Sequence, residues 1–307
     1  MIIIQIHSMI RPEYLKEGDK IGLVATARKI NPIEIAEATE TFVNWGLEVF
    51  LGDHVFGQDN QFSGSDKERA SDLQNMIDRK DIKAIICVRG GYGTVRVVDR
   101  INWKKLKESP KWLVGFSDIT IIHSHLNRQV GMESIHSLMP LNFATASHAA
   151  INSLRKALFG KELKYSIASH KLNKTGSAEA EIVGGNLSII YNVTGSISDI
   201  DTKGKILFLE DLDEYLYHID RMMMNLWRAG KLDKLKGLII GGMTEMNDNK
   251  VPFGKDAYQI IHDIVKAYSY PVCFNFPAGH FPDNRALILG RKVKLEVASK
   301  VKLTFEN

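Results

Sequence analysis

The sequence has only two cysteines among its 307 residues, Cys87 and Cys273, which lie far apart in the chain. A disulfide framework is therefore excluded, and we expect both thiols to fill the core rather than to bind a metal. No segment is long and apolar enough to span a membrane. No basic run is dense enough to indicate nucleic-acid binding, because the net charge of +4 comes from scattered lysines. These absences leave a soluble globular protein.

The amino terminus also lacks targeting features. Residues 1–6 are apolar, but this run is too short to cross a membrane and has neither the basic start nor the small-residue cleavage site of a secretory signal. We therefore expect the protein to be cytoplasmic. With 44% hydrophobic and 25% charged residues, the composition is typical of a globular protein, and the length is enough for two domains that each bury a core.

The first half of the sequence alternates short apolar runs with capped helical segments. Strands are predicted at residues 20–25, 47–51, 83–88 and 112–116. Asn31 with Pro32 opens one helix, and the capping box of Ser65 with Glu68 opens another. Strands separated by helices in this way predict parallel βαβ units, and hence a doubly wound α/β sheet over roughly residues 10–160.

The second half has a different pattern and predicts a smaller α/β domain. Strands are expected at residues 180–183, 205–210 and 237–241, and helices at residues 217–229 and 256–268. Residues 291–305 alternate in the manner of an antiparallel hairpin or edge strand. We predict an N-terminal domain at residues 1–165, a polar linker at residues 166–177 and a C-terminal domain at residues 178–307.

The most informative residue is a serine at a strand-to-helix corner. Ser117 follows the apolar run 112–116 and precedes an amphipathic helix, so its hydroxyl stands at the carboxyl end of a parallel sheet, where open α/β folds build their sites. The backbone N–H of Asp118 points into the same space, so nucleophile and oxyanion donor can come from one turn. The alternative is that Ser117 merely caps the next helix.

A glycine-rich loop follows the third predicted strand. Three of the four residues from Gly90 to Gly93 are glycine, which permits positive φ and a close backbone approach, as in an exposed amide or anion nest. The alternatives are a tight turn or a dinucleotide-binding loop. The glycine spacing and the position after the third strand do not fit a dinucleotide fingerprint.

Two further segments carry a carboxylate and an imidazole. An apolar strand ends at Glu210, whose side chain is fixed by the sheet, whereas Asp211, Asp213 and Glu214 are expected to form a solvated acidic turn. His280 lies in a loop stiffened by prolines, with an ordinary surface histidine as the alternative. No histidines show metal-ligand spacing.

Ser117, Glu210 and His280 supply the parts of a nucleophilic triad. Ser117 would attack a carbonyl, His280 would take its proton and pass it to the leaving amine, and Glu210 would orient the imidazole. Whether these residues meet is not determined by the sequence. A hypothesis of a different class is a non-catalytic protein that binds a nucleotide or a wall fragment through the glycine loop.

Taken together, these segments resemble the LD-carboxypeptidase family of serine peptidases, which includes muramoyltetrapeptide carboxypeptidases. The resemblance spans nearly the whole chain. It is carried by residues 11–22, 89–93, 115–118, 184–188, 209–211, 217–222 and 279–280. Residues 1–8 precede its start, and both an added strand and a misplaced initiation site are open interpretations of them.

The resemblance implies a Ser117–Glu210–His280 triad that uses no metal or cofactor. It also implies an oxyanion hole formed by the backbone N–H groups of Asp118 and Gly91, an active site in the groove between two domains, and a homodimer. The usual substrate of the family is a cytoplasmic murein tetrapeptide, cut between meso-diaminopimelate and the terminal D-alanine for cell-wall recycling. A sister group cleaves peptidyl-nucleotide antibiotics of the microcin C type and gives self-immunity.

Candidate substrate-binding residues are predicted from the chemical groups that the substrate carries. A carboxypeptidase must hold the free carboxylate of its substrate, and the planar guanidinium of arginine pairs with a carboxylate through two hydrogen bonds. Arg89 and Arg221 are the candidates, with a surface ion pair as the alternative for each. Tyr92 and Tyr215 could stack on a nucleobase. The compact loop after Asp211 favours a carboxypeptidase, because immunity-type proteins tend to carry a longer insertion there.

Overall fold

Residues 9–306 are described by the computed structural model, and they form two β-sheets with surrounding helices. The strands are β1 (Lys20–Val24), β2 (Glu48–Leu51), β3 (Ile82–Cys87), β4 (Trp112–Gly115), β5 (Ser134–His136), β6 (Lys164–Ala168), β7 (Gly176–Asn186), β8 (Ile206–Leu212), β9 (Gly237–Thr244), β10 (Val272–Cys273), β11 (Leu287–Leu289), β12 (Lys292–Val297) and β13 (Lys300–Phe305). The α-helices are α1 (Ala36–Asn44), α2 (Asp66–Asp78), α3 (Lys105–Glu108), α4 (Thr120–His125), α5 (His148–Leu158), α6 (Leu187–Val193), α7 (Leu216–Arg228) and α8 (Ala257–Val265). The expectation about residues 1–8 lies outside the described residues. Between residues 9 and 306, every helix is too short or too polar to cross a membrane.

The first sheet has the strand order β11-β5-β4-β3-β1-β2, and its strands β1 to β5 are parallel. Helices lie between successive parallel strands along the chain, so the predicted doubly wound α/β sheet is confirmed. β3 and β4 are buried along almost their whole length, as central parallel strands are when both faces are covered. The strand order reverses between β1 and β3, which places the functional crevice at the carboxyl ends of these strands and their neighbours.

The second sheet has the order β10-β9-β8-β7-β12-β13-β6. Strands β7 to β10 are parallel, whereas β12, β13 and β6 pair antiparallel at one side. The alternating end of the chain forms the β12–β13 hairpin that its pattern predicts. This sheet is the core of the predicted second α/β domain.

Strands β6 and β7 extend into the two ends of the predicted linker at residues 166–177. β6 pairs with β13 at the edge of the second sheet. Tyr165 and Ile167 are covered while their neighbours are exposed, which is the period-2 pattern of a strand with one buried face. The predicted domain boundary at residue 165 therefore falls inside a strand.

The two sheets share a hydrophobic core. One buried cluster contains Phe42 and Val114 from the first half of the chain together with Phe208 and Leu295 from the second. β11 comes from the second half but pairs antiparallel with β5 of the first sheet. Both cysteines are free and buried, as expected. This continuous core holds the ends of the two sheets against each other, where the predicted site residues lie.

Candidate active site

Ser117 occupies a strained turn between β4 and α4. It begins a 3-10 turn, Ser117–Ile119, and its φ of 61° is in the left-handed region. A non-glycine residue in that region costs about 1–2 kcal/mol, and such outliers collect at functional sites. The turn also depends on Gly115, because a β-carbon there would lie 2.9 Å from a side-chain atom of Ile119. The local sequence therefore places the serine hydroxyl on a sharp corner at the sheet end.

The glycine-rich loop lies directly against this corner. A β-carbon at Gly90 would lie 3.1 Å from the β-carbon of Ser117, which is tighter than ordinary contact, so glycine eases the close approach of the loop. Gly91 has a φ of 108°, which other residues rarely adopt. The first N–H groups of a helix have no acceptor within the helix, and Asp118 lies at that position. This geometry is compatible with the predicted oxyanion donors, the backbone N–H groups of Asp118 and Gly91, whose role stays a prediction.

Glu210 and His280 are brought together by the second sheet. Glu210 lies near the end of β8 and is fully buried, and its Oε2 is 2.6 Å from Nδ1 of His280. Gly279 makes this approach possible, because a β-carbon there would lie 2.9 Å from Glu210 Oε2. Since an ionised carboxylate can only accept, Nδ1 of the imidazole donates. Nε2 is then the nitrogen that can act as a base.

The surroundings of His280 change the basicity of its ring. Burial is the largest single influence and lowers the pKa of His280, but the charge and hydrogen bond of Glu210, together with the charges of Asp211 and Glu245, outweigh it. The net pKa is above the ordinary 6.5. A raised pKa makes the imidazole a stronger base, which suits proton abstraction from a hydroxyl.

The serine and the histidine come from different halves of the chain, and the residue before the serine packs against the imidazole. The rings of Phe116 and His280 have centroids 4.8 Å apart, and Phe116 directly precedes Ser117. Within residues 9–306, no hydrogen bond joins Ser117 Oγ to the imidazole. Catalytic hydrogen bonds are often long in a free enzyme and tighten when substrate binds. The structure therefore joins Glu210 and His280 directly and packs Phe116, the residue before Ser117, against the imidazole.

A cavity of about 260 Å³ opens beside the imidazole. Its lining residues are Phe116, Leu138, Asn142, Thr145, Ala146, Leu212, Glu245, His280, Phe281, Pro282 and Asn284. Ligand pockets usually start at ~300 Å³, so this cavity suits one side chain rather than a whole peptide. Glu245 is exposed at the cavity and has a φ of 53°. Six of the eleven lining residues are apolar, and the other five are one carboxylate, the imidazole and three neutral polar side chains.

The predicted substrate-binding residues lie elsewhere. Arg89 Nη1 donates to the carbonyl of Lys29 at 3.0 Å. The ring of Tyr92 is 47% exposed. The guanidinium of Arg221 lies 5.1 Å from the ring centroid of Tyr217 on the surface of α7. Within the described part of the chain, none of the three predicted residues lines the cavity beside His280. Their substrate-binding roles stay predictions.

Asp211 is the residue that sequence reasoning misplaced. It was expected in a solvated turn, but it is only 2% exposed because β8 continues past it. Its carboxylate accepts hydrogen bonds from Asn186 Nδ2 at 2.8 Å, and from the backbone N–H and hydroxyl of Ser188 at 2.9 and 2.7 Å. Burial, followed by the charge of Glu210, raises the pKa of Asp211 to about 6. The sequence feature that could have predicted this burial is the polar residue at the end of β7, Asn186, because β7 pairs in register with β8.

A serine on a strained turn and a buried carboxylate–histidine pair are the parts from which serine peptidases build a triad. The family model described as the LD-carboxypeptidase N-terminal domain matches residues 21–137, and that of the LD-carboxypeptidase C-terminal domain matches residues 179–295. The sequence is 31% identical over 297 residues to a probable murein peptide carboxypeptidase of Bacillus subtilis, covering 94% of this chain and 92% of that protein. The chain belongs to the LD-carboxypeptidase family.

Two further similarities agree with this assignment. A murein tetrapeptide carboxypeptidase of Pseudomonas aeruginosa is 28% identical over 290 residues, covering 90% of this chain and 93% of that protein. The crystal structure of a muramoyltetrapeptide carboxypeptidase from Oxalobacter formigenes superposes with a TM-score of 0.86 at 27% identity, covering 94% of this chain and 99% of that one. The microcin C7 self-immunity protein MccF also superposes at 0.86, covering 98% and 99% of the chains, but at 19% identity this shows the fold alone.

Proposed function

We propose that this protein is a serine carboxypeptidase that releases the terminal D-alanine from murein tetrapeptides in the cytoplasm, as part of cell-wall recycling. The single observation that supports this proposal most is the 2.6 Å hydrogen bond between Glu210 and His280, whose ring packs against the residue that precedes Ser117. Membership of the LD-carboxypeptidase family supplies the class of bond, and relatives named for murein peptides supply the substrate.

The proposed mechanism follows from the three side chains. Ser117 Oγ attacks the carbonyl that joins meso-diaminopimelate to D-alanine, and Nε2 of His280 takes the hydroxyl proton. The negative oxygen of the tetrahedral intermediate accepts hydrogen bonds from the N–H groups of Asp118 and Gly91. His280 then gives its proton to the leaving amine of D-alanine, and water hydrolyses the acyl-enzyme. Glu210 holds the tautomer throughout and stabilises the imidazolium.

The alternative substrate is a peptidyl-nucleotide of the microcin C type. The connection between β8 and α7 bears on the choice, because α7 begins at Leu216, only four residues after β8 ends at Leu212. A chain this short leaves no room for the longer insertion expected of immunity-type proteins. This compact connection supports the murein peptide as the substrate.

The experiment is product analysis by mass spectrometry with murein tri-, tetra- and pentapeptides and an aminoacyl-sulfamoyl adenosine. We expect D-alanine from the tetrapeptide and none when Ser117 is replaced by alanine, since loss of a triad nucleophile costs several orders of magnitude in rate. Hydrolysis of the nucleotide conjugate alone would favour the immunity function. Binding of a peptide by the wild-type protein without release of D-alanine would contradict an enzymatic role and favour a sensor.

Two properties belong to the same proposal. We propose a homodimer, which light scattering coupled to gel filtration measures directly, and a cytoplasmic location, which cell fractionation measures. A monomer that is fully active would remove dimerisation from the proposal without affecting the chemistry.

A further inference from the structure

The glycine-rich loop that carries one predicted oxyanion donor has little stiffness of its own. Gly91 and Gly93 have φ values of 108° and 139°, and glycine samples many other conformations at little cost. A donor must stay within about 2.7–3.1 Å of the developing negative oxygen to stabilise it. Something outside the loop must therefore hold its backbone in place.

The side chain of Asp118 provides one such contact. Its Oδ2 accepts a hydrogen bond from the backbone N–H of Thr94 at 2.8 Å. Thr94 opens the 3-10 turn Thr94–Arg96, and Gly93 at the preceding position has no side chain with which to cap it. Asp118 is 1% exposed and Thr94 is fully buried. Without this acceptor the buried N–H of Thr94 would lose its hydrogen bond in a place that water does not reach, which is costly.

Arg69 of α2 provides a second contact. Its Nη1 donates to the carbonyl of Gly93 at 3.1 Å and to that of Thr26 at 2.5 Å. The guanidinium is fully buried and lies 4.7 Å from the ring centroid of Phe62. The positive charge of Arg69 also favours the ionised form of Asp118, whose pKa burial raises. The hydrogen bonds from Arg69 and to Asp118 thus both hold the end of the glycine-rich loop, at Gly93 and Thr94.

We infer that the side chain of Asp118 is a positioning residue that ties the glycine-rich loop to the Ser117 turn and so sets the spacing between the two oxyanion donors. The backbone N–H of Asp118 is one of those donors, so the same residue carries one donor and anchors the segment that carries the other. This inference rests on the proposed function for its effect on catalysis. The contact itself does not.

The test compares Asp118→Ala with Asp118→Asn in the full-length protein. Alanine removes the acceptor, and we expect kcat on the tetrapeptide to fall about 10²-fold with KM within threefold, because displacement of an oxyanion donor affects the transition state more than substrate binding. Asparagine keeps an oxygen that can accept from Thr94, so its kcat should stay within tenfold of wild type. A murein tripeptide aldehyde, which forms a tetrahedral adduct, should lose affinity in parallel with kcat.

Asp72→Ala is a matched control. Asp72 is 2% exposed, and its Oδ2 accepts from the backbone N–H of His54 at 2.8 Å, the same contact at the same distance but away from Ser117. This variant should lose stability while keeping kcat. An equal loss of kcat in the Asp72 variant would overturn the inference, because loss of stability alone would then explain the Asp118 result.

Amide hydrogen exchange gives a measurement that needs no activity. Removing the acceptor should speed exchange at Thr94 and in the preceding glycines in the Asp118→Ala protein, but not in the Asp72→Ala protein. Unchanged exchange and unchanged kcat would each overturn the inference. If wild-type protein cleaves no peptide, the proposed function fails while exchange still decides the role of Asp118. If Asp118→Ala does not fold, Asp118→Ser, whose hydroxyl is too short to reach Thr94, takes its place.

Discussion

The two halves of the candidate site are built in different ways. In the first sheet, Ser117 is positioned by backbone conformation, with a left-handed φ of 61° and a glycine loop packed against it. In the second sheet, Glu210 and His280 are positioned by a side-chain hydrogen bond of 2.6 Å with the carboxylate fully buried. The first half therefore depends on a strained backbone, and the second on a buried carboxylate with its hydrogen bond to an imidazole.

The two halves are joined by a shared hydrophobic core and by hydrogen bonds between them, some of which lie close to the site. The backbone N–H of Asn186 in β7 donates to Thr120 Oγ1 in α4 at 3.0 Å, and the ring of Phe116 packs on His280. β11 pairs with β5 across the two halves. The hydrogen bond between Glu210 and His280 lies within the second half, and the strained backbone of Ser117 lies within the first. We expect substitutions of site residues within one half to affect kcat most. Substitutions of residues that link the two halves should affect the free energy of unfolding most.

The largest effect on kcat should come from removing the carboxylate of the Glu210–His280 pair. Glu210→Gln should lower kcat about 10³–10⁴-fold, because an amide can donate to Nδ1 and stabilise the wrong tautomer. The reaction of Ser117 with a fluorophosphonate should slow as well, although the serine itself is untouched. Steady-state kinetics and active-site labelling measure the two effects.

Asp72→Asn is the control for that substitution. Asp72 is also a buried carboxylate, and its Oδ1 lies 2.8 Å from Nδ1 of His54. We expect this variant to keep kcat within a few-fold of wild type. If the two substitutions reduced kcat equally, the Glu210–His280 pair would have no special role.

The second effect concerns pH. The neutral form of His280 is the base, so kcat/KM should fall as pH drops and the ring becomes protonated. Although burial lowers the pKa of His280, the charge and hydrogen bond of Glu210 raise it above 6.5, so half-maximal kcat/KM should lie above pH 6.5. In Glu210→Gln the burial remains while the charge is lost, so the midpoint should move to lower pH.

The measurement is the pH profile of kcat/KM, which reports the free enzyme. Asp211 titrates in the same range, since burial raises its pKa to about 6. The Asp211→Asn variant therefore separates the two groups, and its profile should keep a midpoint set by His280. A wild-type midpoint at or below 6.5 would contradict the assignment of His280 as the base.

Local patterns predicted those parts of the fold that local forces determine. The capping box of Ser65 and Glu68 forms as expected, and α2 follows it. Asn31 takes the predicted N-cap position, but the first turn, Pro32–Ile35, is 3-10 rather than α-helical. The apolar runs of β1, β3 and β4 lie within two residues of their predicted bounds, because a buried parallel strand is a continuous apolar run.

Parts of the fold that depend on distant partners were not predictable in this way. β5 and β11 have three residues each, and they pair because the two halves of the chain meet, which no local pattern encodes. The acidic neighbours of Asp211 predict a solvated side chain. Its carboxylate is buried instead because Asn186 and Ser188, which are distant in the sequence, donate hydrogen bonds to it. The pairing of Glu210 with His280 was likewise a hypothesis from two strand-end positions and a family resemblance.

A smaller effect, on stability, should follow from removing the hydrogen bond between Asn186 and Thr120 that links the two halves. Thr120→Val keeps the shape of the side chain but leaves the buried N–H of Asn186 without its acceptor, which costs about 1–3 kcal/mol of unfolding free energy. Thr120→Ser keeps the hydroxyl and should stay within about 1 kcal/mol of wild type. Urea denaturation measures both. Equal stabilities for the valine and serine variants would show that this hydrogen bond does not hold the halves together.

The smallest effect should come from the strained turn itself. Ser117→Gly and Ser117→Ala both remove the nucleophile, but only glycine adopts a φ of 61° without strain. The left-handed conformation costs alanine about 1–2 kcal/mol, and the greater freedom of glycine in the unfolded chain offsets about 0.4–1 kcal/mol of that. The glycine variant should therefore be the more stable by about 0.5–1 kcal/mol in urea denaturation.

Ser153 in α5 supplies the control with the opposite sign. Its hydroxyl makes two hydrogen bonds that glycine and alanine lose equally, so the difference between Ser153→Gly and Ser153→Ala isolates the backbone. In a helix, glycine is less favourable than alanine by about 1 kcal/mol. The order of the two variants should therefore invert between positions 117 and 153. If alanine were the more stable residue at both, the turn at Ser117 would store no strain, and its position would depend on packing alone.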